Sequence, residues 1–272
     1  MSSPTIRVSV QTILPENFGS DKNFQQALEK LQRLGFYGLE LNIAHPGAEP
    51  LERIVRFLEG YHLKLTSFAS GLTAKTYGLS LSDKDEEVRM RSVHKVQQII
   101  DFLSGSEVGI ILGFFKGPKV EYSEIAQSQF GRSLDELLPA AEKAKIPLVV
   151  EATNRYESSI ANSLDDAVRL VEPRNSSYLK ILPDTFHMNI EEQDMCASME
   201  KYLQYYDNVH LSDNNRYFPG YGAIEFSKIL NHLSSLGYSG GFALEGNLKG
   251  GLTEDSEVAM GMIKKISESK EH

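Results

Sequence analysis

A single cysteine, Cys196, stands among 272 residues, so the chain cannot close a disulfide within itself. Long apolar runs are missing too, and none approaches the roughly 20 residues that a membrane-spanning helix needs. The opening MSSPTIRVSV has neither the basic stretch nor the apolar core of a secretory signal, which makes the cytoplasm the expected location. Basic residues are in the minority. With 28 Lys and Arg against 37 Asp and Glu the formal charge is −9. That is the wrong sign for neutralising nucleic-acid phosphates, and no lysine or arginine run offsets it. There is no linker, low-complexity tract or block of like charge to mark a boundary, so residues 1–272 are read as one domain. The 41% of hydrophobic residues supplies material for a sizeable core.

Short apolar runs alternate with longer amphipathic stretches along the whole chain. Strands are expected at 6–13, 37–43, 64–70, 108–114, 147–153, 178–184, 208–213 and 240–246. The helices that follow them are expected at 23–35, 50–61, 85–105, 128–144, 163–172, 196–206, 224–237 and 256–269. Parallel strands need crossovers, and right-handed strand-helix units close on themselves at eight. The pattern therefore predicts a single (β/α)8 TIM barrel of the α/β class. An open doubly wound sheet would need a glycine-rich phosphate turn after the first strand, and QTILPENFGS has none. The two longest irregular stretches, 71–84 and 116–127, both follow strands, which puts them on the C-terminal face where barrels build their sites.

In VVEATNRYE, residues 149–157, two valines run straight into Glu151, and a carboxylate at the mouth of an apolar strand is costly unless something pairs with it. Asp184 ends the sixth strand, His210 lies in the seventh and Glu245 ends the eighth, at spacings of 33, 26 and 35 residues from Glu151 onward. Alone, three of the four have an ordinary explanation: a helix cap or rim ion pair for Glu151, a turn cap for Asp184 in PDTF, a packed core histidine for His210. At consecutive strand ends of one barrel, three carboxylates would repel one another unless a cation sat among them, with the imidazole as companion ligand. One nitrogen with several oxygens suits Mn²⁺, Mg²⁺ or Co²⁺ better than a closed tetrahedral zinc site. Glu157, His187 and Arg216 lie just beyond these strands, where loops curl over a ligand. Arg216 reads either as a clamp for a hydroxyl or oxyanion or as an ordinary loop ion pair. Lys116 and Lys119 after the fourth strand read either as groups that reach a phosphate or carboxylate or as lysines of a solvated loop.

The strings EATNRYE, DTFHMNIEE, HLSDNNRYFPGYGAIEF and ALEG, in this order and spacing, resemble the ketose 3-epimerases, the group that includes D-tagatose and D-psicose 3-epimerase, within the xylose-isomerase-like barrel superfamily. The match is dense in the second half, and SLSDKDEEVRMRSVHKVQQIIDF resembles the third-helix region. The resemblance implies that Glu151, Asp184, His210 and Glu245 bind one divalent ion, manganese, cobalt or magnesium. It implies that Glu151 and Glu245 also move protons, and that Glu157, His187 and Arg216 contact the sugar. The implied reaction inverts C3 of a free ketose of the D-tagatose, D-psicose, D-fructose or L-ribulose type through an enediolate, in a homo-oligomer, dimer or tetramer. FASGLTAKTYG and GFFKGPK depart from the best-known members, which leaves the preferred chain length open. The rival readings are a 1,2-isomerase of the sugar or hydroxypyruvate type, an inosose dehydratase and a non-catalytic sugar-binding relative. An endonuclease of this superfamily would need more metal-binding histidines and a basic face.

Overall fold

Runs such as RVSVQTI, GLELN and LVVE extend because β-branched and leucine side chains fit a sheet covered on both faces. In the computed structural model, which describes residues 6–269, eight such runs are parallel strands. They are β1 (Arg7–Ile13), β2 (Gly38–Asn42), β3 (Lys64–Ala69), β4 (Gly109–Ile111), β5 (Leu148–Glu151), β6 (Leu179–Leu182), β7 (Asn208–Leu211) and β8 (Gly241–Leu244). The first five residues of the MSSPTIRVSV opening and the last three of the chain lie outside the described residues. The ladder runs β6-β5-β4-β3-β2-β1-β8-β7. The remaining gap, between β6 and β7, is spanned by a bridge between Asp184 and His210, with the His210 N–H donating to the Pro183 carbonyl at 2.8 Å. The barrel therefore closes through two of the four residues singled out in the sequence.

The outer layer consists of α1 (Lys22–Leu34), α2 (Leu51–Glu59), α3 (Gly71–Tyr77), α4 (Glu86–Leu103), α5 (Ser123–Ala144), α6 (Leu164–Val171), α7 (Thr185–Glu191), α8 (Met195–Lys201), α9 (Phe226–Ser235) and α10 (Leu252–Glu268). Among the described residues no helix is long and apolar enough to cross a membrane. The two-residue period of a strand divides β1, β2 and β7 into an apolar and a polar set. Val8, Val10, Leu39, Leu41, Val209 and Leu211 belong to the buried apolar cluster. The alternate residues Gln11, Glu40, Asn42, Asn208 and His210 instead hydrogen-bond to one another across the barrel. Between α4 and α5 the fully buried Arg89 bonds Glu86 at 2.7 Å, Glu136 at 2.9 Å and Ser133 at 2.9 Å, so its charge is paired and its donors are used.

Several expected boundaries and elements change. The 71–84 stretch contains α3, which is anchored by tertiary bonds: the Leu72 N–H donates to the Asn42 side chain at 3.1 Å and the Thr73 hydroxyl to the Ile43 carbonyl at 2.6 Å. The fourth strand stops at Ile111, because the chain turns at Gly113 into a 3-10 turn over Phe114–Lys116. The helix expected at 128 starts at Ser123. A short helix unforeseen in the sequence, α7, begins directly after Asp184.

Candidate metal centre

Glu151 is the last residue of β5, Asp184 and Glu245 stand just beyond β6 and β8, and His210 lies within β7. One donor atom from each falls within 4.8 Å of the other three. His210 Nδ1 is 2.9 Å from Glu245 Oε2, 3.6 Å from Glu151 Oε1 and 3.8 Å from Asp184 Oδ2. Donors around an octahedral ion with bonds of about 2.1 Å stand roughly 3 to 4.2 Å apart, so the spacing fits one cation. Glu151 Oε1 is buried and has no hydrogen-bond partner. A buried carboxylate oxygen left bare is costly, and a divalent ion is a partner that suits this donor set. The four residues thus form a possible divalent metal site.

The cap expected of Asp184 is present, and it occupies one oxygen only. Oδ1 caps α7, accepting from the Phe186 N–H at 2.7 Å and the His187 N–H at 3.2 Å, and Oδ2 faces the cluster. His210 is oriented by a residue that the sequence reading passed over, Glu40 in β2. Glu40 is wholly buried, and its Oε2 lies 2.9 Å from His210 Nε2. The Asn208 side chain supports it at 2.7 Å and the Gln11 side chain at 3.4 Å. A carboxylate behind the far imidazole nitrogen fixes the tautomer and turns the Nδ1 lone pair toward a metal. The signal was in GLELN: a carboxylate between two leucines in a strand, as unusual as Glu151. With protein groups alone, burial would push the His210 imidazole down. Glu40, Glu245 and Glu151 outweigh it and hold His210 well above the ordinary histidine value.

Arg216 stands on the cluster itself. Its guanidinium donates to Asp184 Oδ2 at 2.8 Å and lies 3.2 Å from Glu245 Oε2 and 4.8 Å from the Phe186 ring centroid. Burial would raise the Glu245 pKa, but Arg216 and His210 hold it well below the usual carboxylate range. The Arg216 backbone is left-handed, with φ 64°, and its loop is pinned by Asp213. That carboxylate accepts from the N–H groups of Gly220, Gly222 and Ile224 at 2.7 to 3.2 Å. Gly222 has to be glycine here, since a Cβ would lie 2.3 Å from Asp213 Oδ1.

His187 is buried. Its Nδ1 accepts from the Asn154 backbone N–H at 3.2 Å, and the Asn154 side chain lies at 2.8 Å. The ring hydrogen is therefore on Nε2, which lies 3.9 Å from Glu151 Oε1. The same Asn154 amide donates to Glu157 Oε1 at 3.0 Å. Glu151, Glu157, His187, Arg216 and Glu245 all line one cavity of about 460 Å³. Ser70, Leu72 and Lys75, together with Gly113, Phe114 and Pro118, line it as well. Gly113 closes on the site, because a Cβ there would lie 2.0 Å from Glu151 Oε2.

Neither expectation for Lys116 survives. It is wholly buried beneath the site, and its Nζ donates to the Glu151 carbonyl at 2.6 Å, Thr153 Oγ1 at 2.7 Å and the Ile160 carbonyl at 3.0 Å. It therefore reaches no ligand phosphate. Burial pushes its amine down to about 7 against the opposing pull of Glu151, Glu157 and Asp166. Lys119 stays exposed, 5.9 Å from the Tyr156 ring centroid.

The sequence profile of the xylose isomerase-like TIM barrel family matches residues 28–266. Relatives include a D-psicose 3-epimerase of Enterocloster bolteae, 27% identical over 259 residues that cover 90% of this chain and 85% of the relative. Another is a 3-dehydro-D-guloside 4-epimerase of Escherichia coli K12, 24% identical over 238 residues covering 84% of this chain and 88% of the relative. Both relatives are epimerases, which are isomerase-class enzymes. The solved structure of an L-ribulose 3-epimerase superposes with a TM-score of 0.83 at 21% identity, covering 97% of this chain and 95% of that one. At that identity the likeness establishes the fold.

Proposed function

The chain belongs to the xylose isomerase-like TIM barrel family, and from that premise we propose that it is a metal-dependent epimerase that inverts C3 of a free ketose. The observation that carries the reading is the pair Glu151 and Glu245. They come from β5 and β8, converge on one donor cluster with Asp184 and His210, and open into a cavity of about 460 Å³, a size suited to a monosaccharide. A divalent cation bound by the four side chains supplies the positive charge that stabilises an enediolate at C2 and C3. Mn²⁺ fits the donor set best, with Co²⁺ or Mg²⁺ as substitutes.

In this reading the chain's own groups divide the remaining work. Glu245, kept ionised by Arg216 and His210, takes a proton from C3 on one side of the sugar and later releases it to water, while Glu151 passes a proton drawn from water to the other face. The reverse reaction exchanges their roles. His187 donates its Nε2 hydrogen to a sugar oxygen, with Asn154 fixing the tautomer. Arg216 and Glu157 hold hydroxyl groups at the two ends of the reacting unit. The same reading expects a cytoplasmic homo-oligomer, dimer or tetramer, a size that light scattering of the purified protein measures.

The test is product analysis. Chelator-stripped protein, reloaded with Mn²⁺, is incubated with D-fructose, D-psicose and L-ribulose. The reading requires the C3-epimeric ketose as product. An aldose would identify a 1,2-isomerase, a C4 epimer would match the chemistry of the Escherichia coli relative, and no turnover of any ketose would leave a binding protein.

A further inference from the structure

Lys116 is a buried amine that this division of labour leaves unused, and its surroundings assign it a task. The β4–β5 ladder carries a hydrogen bond from the Leu112 N–H to the Val149 carbonyl at 2.7 Å. In a strand the next acceptor on the same edge is two residues on, which is the Glu151 carbonyl. No backbone N–H meets it there, because β4 has ended and Gly113 has turned the chain away. Lys116 Nζ meets it instead, at 2.6 Å.

The other two bonds of Lys116, to Thr153 Oγ1 and the Ile160 carbonyl, reach both ends of the loop that follows β5. That loop closes on itself through the Thr153 N–H to the Ala161 carbonyl at 3.0 Å. It carries Asn154, which bonds both Glu157 and His187. The two carbonyls accept from the amine whether or not it is charged, and the Thr153 hydroxyl can accept from an ammonium or donate to a neutral amine. The clamp therefore does not depend on the charge of Lys116.

Resting on the epimerase reading, we propose that Lys116 is a positioning residue. It supplies the missing rung of the barrel at the end of β5, and so fixes the Glu151 carboxylate and the Asn154–Glu157 loop relative to the metal cluster. An amine buried this deeply is a costly way to fill space. What it adds over an apolar chain of equal length is the capping of three inward-facing acceptors.

The variants are Lys116→Met, which fills the space without donors, and Lys116→Gln, which keeps a donor group should the first fail to fold. They are compared by circular dichroism, Mn²⁺ calorimetry, amide hydrogen exchange and steady-state kinetics. The expected result for the folded variants is a tenfold or greater weakening of Mn²⁺ binding and faster exchange of amides 152–161. Turnover should fall at least tenfold while KM changes less than threefold, and Lys116→Gln should lie between Lys116→Met and the wild type. Wild-type metal affinity and turnover together with a lowered Tm would reduce Lys116 to a stability role and overturn the proposal. Calorimetry and amide exchange need no substrate, so failure of the epimerase reading appears separately, as wild-type protein that binds metal but converts no ketose.

Discussion

Gly113→Ala isolates the tightest contact in the candidate site. The backbone at Gly113 has φ −77°, so no left-handed conformation stands against alanine and the substitution acts chiefly through space. The added Cβ would lie 2.0 Å from Glu151 Oε2 and 3.2 Å from its Cδ, whereas ordinary contact begins near 3.4 Å. The carboxylate must retreat by more than one ångström or the turn over Phe114–Lys116 must lift. Metal-ligand distances tolerate only about 0.2 Å of change, and misplacing a catalytic group by about 1 Å costs on the order of 100-fold in rate. The expected outcome is Mn²⁺ binding weakened at least tenfold by calorimetry and proton exchange slowed roughly 100-fold. The stability loss should be only about 1–3 kcal/mol, as for other overpacked sites. Gly261→Ala in α10, where a Cβ meets nothing within 4 Å, is the matched control and should leave both quantities unchanged. Wild-type affinity and rate in the Gly113 variant would refute the claim that Glu151 is held in place for a metal.

Glu40→Gln removes the charge behind His210 Nε2, and Mn²⁺ affinity measured by calorimetry should fall about 10- to 100-fold. Arg216→Gln removes the protein's own counter-ion from Asp184 and Glu245. The rise in Tm on adding Mn²⁺ should therefore be larger than in the wild type, by about 2–4 °C for each kcal/mol of apo-protein stability lost, and KM for the ketose should rise. Glu86 has its pKa lowered to about 2 by Arg89 and then Arg132. Its stabilising contribution is complete above its ordinary value near 4.5 and is lost as pH falls toward 2. Glu86→Gln should accordingly flatten the acid side of the stability curve while leaving metal binding at pH 7 intact, as chemical denaturation at several pH values would show.

The barrel was legible because its signals are local and repeated: two-residue alternation in β1 and β2, a run of amphipathic helices, and no glycine-rich turn after the first strand. The polar residues at the ends of β5 to β8 were legible for the same reason, each being an anomaly within an apolar strand. What escaped the sequence depends on contacts far apart in the chain. Glu40 lies 170 residues from His210, and nothing in GLELN says which imidazole it faces. Lys116 looked like a loop residue because lysine seldom lies buried, and its three acceptors become visible only once β4 is seen to stop at Ile111. The helix α3 is held by Asn42 and Ile43 from another strand, a tertiary influence that outweighs the loop-like composition of its segment. The two oxygens of Asp184 point in different directions, so a helix cap on one does not exclude a place for the other in a donor set.

The most direct test of the account is deuterium incorporation in heavy water, followed by NMR, with Mn²⁺ titrated into chelator-stripped protein and D-fructose as substrate. A single deuterium should appear at C3 together with the C3-epimeric ketose, saturating at one Mn²⁺ per chain and abolished in Glu245→Gln. Deuterium at C1, or exchange that persists without a divalent ion, would contradict the account.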